Sequence, residues 1–352
     1  MKNELTLLIG SYTQPEAHVP GACGEGIVTC SFDPATGRLE KRSVFKDMLN
    51  PSYLASDPTG RKVFAVSENI AGEGTVWQLA CAADGALTPT VQQNSHGAAT
   101  CHVAVLPDDR VCVTSFFGGT AVYRLTNGKL APAERVFRYQ GRGVHPQRQE
   151  ASHAHQAVVS PDQRWFYVCD LGADCVWQHD IAANDAPVGL PMPAGHGPRH
   201  MAFHPSLPRA WVLGELTGAV AVCDWNAQTG ALAVVAITPA IEMDASAAAI
   251  RVHPTGRCLW TSTRKHPALR AYQLDASGLP GTCTEVPLSA GEPRDFTISP
   301  DGRWLLAATQ QADEVVVIEL DPSTGLPAGT PHQFFPINTP VCVFFPTEIN
   351  HS

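Results

Sequence analysis

The stretch Asp295–Gln310, DFTISPDGRWLLAATQ, decides the fold. It reads as a short apolar strand, a proline, a turn and a second short apolar strand. The same pattern recurs as YLASDPTGRKVFAVSE from Tyr53 and HVAVLPDDRVCVTSF from His102. It returns as HQAVVSPDQRWFYVCDL from His155, HMAFHPSLPRAWVLGEL from His200 and IRVHPTGRCLWTSTR from Ile250. The marker prolines are Pro58, Pro107, Pro161, Pro205, Pro254 and Pro300, spaced 44 to 54 residues apart. That spacing is close to the length of a four-stranded propeller blade.

A seventh copy is split between the chain ends. VCVFFP, closing at Pro346, matches the strand before the proline, and LTLLIGSY, from Leu5, matches the strand after it. Pairing the two would close a ring and leave no open sheet edge. A third strand recurs independently seven times, as IVTCSF, TVWQL, TAVYRL, CVWQHD, AVAVCD, LRAYQL and VVVIEL. Each is followed by a Gly turn leading to Leu: TGRL, DGAL, NGKL, VGLP, TGAL, SGLP and TGLP. Glycine suits the positive φ such turns require between antiparallel strands. Three registers that agree on seven argue against a β-sandwich. The expected architecture is all-β, a seven-bladed β-propeller, with residues 1–352 as one domain.

The composition fits a globular chain of many short strands. Gly and Pro each number 29 in 352 residues. The net charge is −9 and no Lys/Arg cluster occurs, so no nucleic-acid partner is expected. The N-terminal MKNELTLLIGSYT is too short and too broken for a signal peptide, and no stretch approaches a membrane span. The eleven cysteines are scattered, several in strand-like settings such as Cys30, Cys112, Cys169 and Cys342. With no CxxC and no zinc spacing, they read as reduced, mostly buried thiols of a cytoplasmic protein, and no cofactor is implied. The pattern leaves the oligomeric state open.

Topology then gathers the charges. The first two strands of a blade run antiparallel through the proline turn. Residues just before the first and just after the second therefore share one end of the propeller. The entrances carry Asn50, His153, His155, Arg199 and Arg294; the exits carry Glu68, Asp170, Glu215, Arg264 and Gln310. The first strand should be innermost, so its entrance residues face the channel. Interblade salt bridges would explain some of these charges, Glu68 and Asp170 foremost. The arginines suit an anionic ligand, because guanidinium grips phosphate or carboxylate through paired donors. A His and a Glu beside them can move protons. No P-loop, HExxH or GxSxG is present, so water is the expected nucleophile of any hydrolysis.

At these residues the chain resembles the propeller-type 6-phosphogluconolactonases, a family that includes the fungal carboxy-muconate lactonizing enzymes. The matching stretches are NPSYLA from Asn50, RQEASHAH from Arg148, DLGAD from Asp170 and GHGPRHMAFHP from Gly195. They continue with GEL from Gly214, STR from Ser262, GEPRDFTISPDGRWLLAATQ from Gly291 and TPVCV from Thr339. The resemblance covers nearly the whole chain. It implies chemistry on lactone rings, with His155, Arg199, Glu215 and Arg264 as the reacting set. Arg294, Arg148, His153, Asp170 and Gln310 are expected to contact the substrate. Two positions depart from the family pattern. Ala249 stands where many relatives carry Glu, and Thr263 where Asn is usual.

The leading expectation is hydrolysis of 6-phosphoglucono-1,5-lactone. Arg199 and Arg264 would hold the phosphate or the developing oxyanion, and His155 would act as general base. Glu215 would partner His155 or supply the acid for the leaving oxygen. A carboxy-muconate cycloisomerase or a lactonase for an unphosphorylated sugar acid would need similar arginines. A non-catalytic scaffold would instead show a broad exposed apolar face. Calcium in the channel would need several carboxylate and amide ligands. This mouth is richer in Arg and His, so no metal is expected and activity should survive chelation.

Overall fold

The computed structural model describes residues 4–183, 185–288 and 291–346. Five four-stranded antiparallel sheets and one seven-stranded sheet make up the described chain. The larger sheet is two blades joined by one long strand, Leu87–Leu106. Its first half pairs with Glu73–Cys81 as the outer strand of the second blade, and its second half pairs with Arg110–Phe117 as the inner strand of the third. His96 and Ala99 take positive φ where the strand passes from one blade to the next. The count is therefore seven blades. Pro340–Phe344 lies antiparallel to Leu5–Ser11, with Ile9 opposite Val343, so the two chain ends share the first blade.

The strands read as nearly continuous apolar runs because each faces a neighbouring blade on both sides. In Trp165–Asp170, Trp165, Tyr167 and Cys169 pack toward the fifth blade with Met201, Phe203 and Val212. Phe166 and Val168 pack the other way, with Leu106, Cys112 and Val122 of the third blade. The two-residue period of a strand thus divides one sequence between two cores. Indoles bind the blades around the ring. Trp165, Trp211, Trp260 and Trp304 donate to the carbonyls of Ala227, Gly278, Gly325 and Pro34, each in the next blade. Gly37 must be glycine on two counts: its φ is +69°, and the Trp304 ring lies 2.5 Å from where a Cβ would stand.

Six of the seven expected glycine turns are present, with positive φ at Gly37, Gly85, Gly128, Gly230, Gly278 and Gly325. The exception is VGLP. Val188–Pro191 is itself the outer strand of the fourth blade, with Gly189 opposite Trp177.

One irregularity positions the site. Six inner strands break register near their entrance, at Pro51/Tyr53, Thr100/His102, Ala154/Ala157, Pro198/His200, Ala247/Ile250 and Pro293/Asp295. A bulge bends a strand and re-aims side chains that would otherwise alternate. Consecutive residues consequently reach the same cavity: Ser52 with Tyr53, Arg199 with His200, and Arg294 with Asp295.

Candidate active site

Two layers of side chains line the channel mouth. Counting back from each marker proline, the sixth residue is Ser52, Cys101, His155, Arg199, Ala248 or Arg294. The fifth is Tyr53, His102, Gln156, His200, Ala249 or Asp295. Ser52, Tyr53, Cys101, His155, Arg199, His200, Arg294 and Asp295 surround one small cavity, with Glu68 and Val341. The space accessible between them is ≈ 10 Å³, about enough for a single water.

Above the cavity, three guanidiniums converge on one carboxylate. Glu215 Oε2 lies 2.9 Å from Arg199 Nε and 3.1 Å from Arg264 Nη2, and its Oε1 lies 2.5 Å from Arg148 Nη2. Burial alone would raise the Glu215 pKa, but Arg264, Arg148 and Arg199 outweigh it and hold the group at about 2. Across the mouth, Arg294 stacks over the Tyr12 ring at 5.3 Å and approaches Glu68 at 3.8 Å. Four arginines against two glutamates leave an excess of two positive charges here, in a chain whose net charge is −9. That contrast marks a site for a small anion.

His155 sits beside this cluster, almost wholly buried. Burial, then Arg199 and Arg294, push its pKa well below the ordinary imidazole value, so the ring is neutral at physiological pH. Its Nδ1 has no hydrogen-bond partner within the protein. Burial and nearby arginines push His102 and His200 the same way. The His155 and His200 rings lie 5.2 Å apart, and those of His102 and His200 5.9 Å. A neutral imidazole with a free nitrogen can accept a proton.

The approach loops are built on two buried aspartates. Asp170 accepts hydrogen bonds from His153 N, Ala173 N, Ser152 Oγ and Trp177 Nε1. It thereby sets the entrance of the strand carrying His155. Asp174 accepts from Gln149 Nε2, Gly195 N and Gly197 N, joining the loop of Arg148 to the loop that leads into Arg199.

The structure thus brings together His155, Arg199, Glu215, Arg264, Arg148 and Arg294. It does not bring in Asp170, whose oxygens are committed to its own blade, and the expectation of substrate contact there is corrected. His153 is also turned away, stacked on Phe116 at 4.2 Å and bonded to Glu150 at 2.9 Å. Gln310 donates to Glu292 at 3.3 Å and is not among the cavity residues. Asn50 holds the N-terminal loop through Thr13 N and Gln14 N. Glu215, expected as an acid or as partner of His155, stands among the arginines instead. Three guanidiniums favour its ionised form, and its ion pairs are with Arg148, Arg199 and Arg264. It serves instead to gather the arginines.

Ala249, where relatives carry Glu, is buried, and its N–H donates to Ser262 Oγ. The carbonyl of the preceding Ala248 takes Arg199 Nη1. Thr263 accepts from Arg270 and donates to the His266 carbonyl. The sequence reading missed the second layer: Tyr53, His102, His200, Asp295 and, one step deeper, Arg251, which pairs with Asp295 at 3.0 Å. The signal was available, since the first four share one place in the repeat. Tyr12 and His18 carried no such signal, because they lie in an irregular loop.

Among the described residues no cluster of His, Cys, Asp or Glu is arranged to hold a metal ion. No helix among them is long and apolar enough to cross a membrane.

Fold and site together define a seven-bladed propeller with a basic, histidine-floored mouth. Residues 6–345 match the family described as lactonase, 7-bladed beta-propeller, and the chain belongs to that family. It is 26% identical over 348 residues to the 6-phosphogluconolactonase of Bacillus subtilis strain 168, covering 96% of this chain and 97% of that protein. It is 24% identical to the 6-phosphogluconolactonase of Formosa agariphila, over 91% of this chain and 93% of that one. Among solved structures, the periplasmic gluconolactonase PpgL of Pseudomonas aeruginosa superposes with a TM-score of 0.88. The two are 29% identical, over 97% of this chain and 99% of PpgL.

Proposed function

We propose that this protein is a lactonase that hydrolyses 6-phosphoglucono-1,5-lactone to 6-phosphogluconate. The observation that carries the reading is a neutral, buried His155 sharing one cavity with Arg199 and Arg294, while Glu215 joins Arg148 and Arg264 to Arg199. His155 accepts a proton from water as that water attacks the lactone carbonyl. Arg199, the most deeply buried of the four arginines, faces the developing oxyanion. Arg264 and Arg148 are more open to solvent and receive the phosphate. Glu215 holds these guanidiniums in place before substrate arrives, so the transition state meets dipoles and charges that need not reorganise. The lactone is already labile in water, so modest acid–base and electrostatic help is sufficient.

The likeness to the Pseudomonas protein favours a second reading, an unphosphorylated gluconolactone. The eleven free cysteines, most of them buried, suit a reducing compartment such as the cytoplasm.

Fresh 6-phosphogluconolactone and gluconolactone, assayed side by side against spontaneous hydrolysis, test both readings. The expected result is acceleration of the phosphorylated lactone, unchanged by EDTA. His155→Ala should lower kcat by roughly 100-fold or more. Acceleration of gluconolactone alone would transfer the function to the second reading. Acceleration of neither would end both.

A further inference from the structure

One carboxylate at the mouth is not absorbed by this reading. Glu68 follows the second strand of the second blade and is 4% exposed. Glu215 is bound by three guanidiniums, but the ionic partners of Glu68 are remote. Arg294 Nη2 stands 3.8 Å and His18 Nε2 3.7 Å away, both toward Oε1. These are beyond hydrogen-bonding reach. Oε2 is inaccessible and has no hydrogen-bond partner within the protein. His155 Nδ1 is in the same condition, and both side chains line the same water-sized cavity. Arg199 Nε and His200 Nδ1, on two further side chains of the lining, also lack a hydrogen bond, and so many unsatisfied polar groups around one void point to a function.

The geometry points to Glu68 as a second catalytic acid–base residue, gripping the attacking water together with His155. This assignment rests on the lactonase reading. Glu68 accepts one hydrogen of the water while the His155 imidazole accepts the other, so the oxygen lone pair faces the lactone carbonyl. The new C–O bond forms as one proton passes to His155. When the ring C–O bond breaks, that proton goes to the departing ring oxygen, which becomes a hydroxyl. The second proton stays on the product carboxyl and leaves through Glu68. His18 is one-third exposed and has Tyr12 Oη 3.1 Å from its Nε2; burial and Arg294 lower its pKa to about 4, so it stays neutral beside Glu68. The other charged or titratable groups facing Glu68 are Arg294, Tyr12 and Cys101.

Glu68→Gln keeps the shape and removes the proton acceptor. On 6-phosphogluconolactone its kcat should fall roughly 100-fold, with KM within about threefold and the melting temperature unchanged. Formate added to Glu68→Ala should restore part of the rate. Glu68→Asp retains the charge but withdraws it by one methylene, and should lose roughly tenfold or more in kcat. A wild-type kcat in Glu68→Gln or Glu68→Asp would overturn the assignment. So would a loss confined to KM, or a lowered melting temperature without formate rescue. Failure of the wild-type enzyme to accelerate lactone hydrolysis would instead remove the lactonase reading itself.

Discussion

Arg199 Nε lies 2.9 Å from Glu215 Oε2, although one residue enters the fifth blade's inner strand and the other leaves its second strand. Both side chains are buried. The contact does more than join two strands of one blade. Arg148 arrives at the same carboxylate from the connection between the third and fourth blades, and Arg264 from the exit of the sixth. One anion therefore assembles three cations that would otherwise repel one another.

The first prediction concerns acid stability. Glu215 falls from an ordinary 4.5 to about 2 on folding, so the unfolded chain binds its proton first. Its contribution is complete above pH 4.5 and is lost as pH falls toward 2. Integrated over that window it amounts to roughly 3 kcal/mol. The buried histidines act earlier. His102, His155 and His200 have depressed pKa values in the fold, so the unfolded chain gains protons as pH drops below 6.5 and stability declines from there. Urea midpoints at pH 7, 5 and 3 should fall in two stages. Glu215→Gln should shrink the second stage, leaving what Glu25, Glu150 and the histidines contribute. A midpoint independent of pH from 7 to 3 would contradict the burial of these groups.

The second prediction separates the arginines. Arg264→Met should raise KM for the phosphorylated lactone roughly 10- to 100-fold, the value of one or two charged hydrogen bonds, with a smaller effect on kcat. Arg199→Met should act chiefly on kcat, by roughly 100-fold. Steady-state kinetics of the two variants decide the matter. Equal effects on both constants would show that the two arginines share one task.

The third prediction concerns ring closure. Val343 is 2% exposed and packs with Leu7, Ile9 and Phe345 between the first and seventh blades. Val343→Asp buries an unpaired charge in the strand that ties the chain ends together. It should destabilise the protein by on the order of 4 kcal/mol and promote aggregation through the freed sheet edge. Thermal melting and size-exclusion chromatography report both effects. An unaltered melt would show that the closing blade is dispensable.

The blade count, the proline turns and the shared rim were legible in the chain because they follow from local regularities. A proline, a glycine turn and a two-residue apolar period mean the same thing wherever they recur. The order of the strands then places His155, Arg199, Glu215 and Arg264 at one end of the ring. The VGLP segment shows the limit of that local reading: its glycine looked like a turn, yet its backbone found a ladder with Cys175–Gln178.

Other features depended on distances between residues remote in sequence. The entrance bulges exist only relative to a partner strand, so the shared repeat position of Tyr53, His200 and Asp295 could be read from the chain but their turn into the same cavity as the residues before them could not. Which charges pair was equally hidden. Glu68 and Glu215 are both glutamates at strand exits. Three guanidiniums surround one of them, while the other lines the cavity with one oxygen left without a hydrogen bond. Strand pattern is a property of neighbours along the chain and can be read from it. The charge state and freedom of a buried group depend on what the fold brings within a few ångströms, and only the tertiary structure decides that.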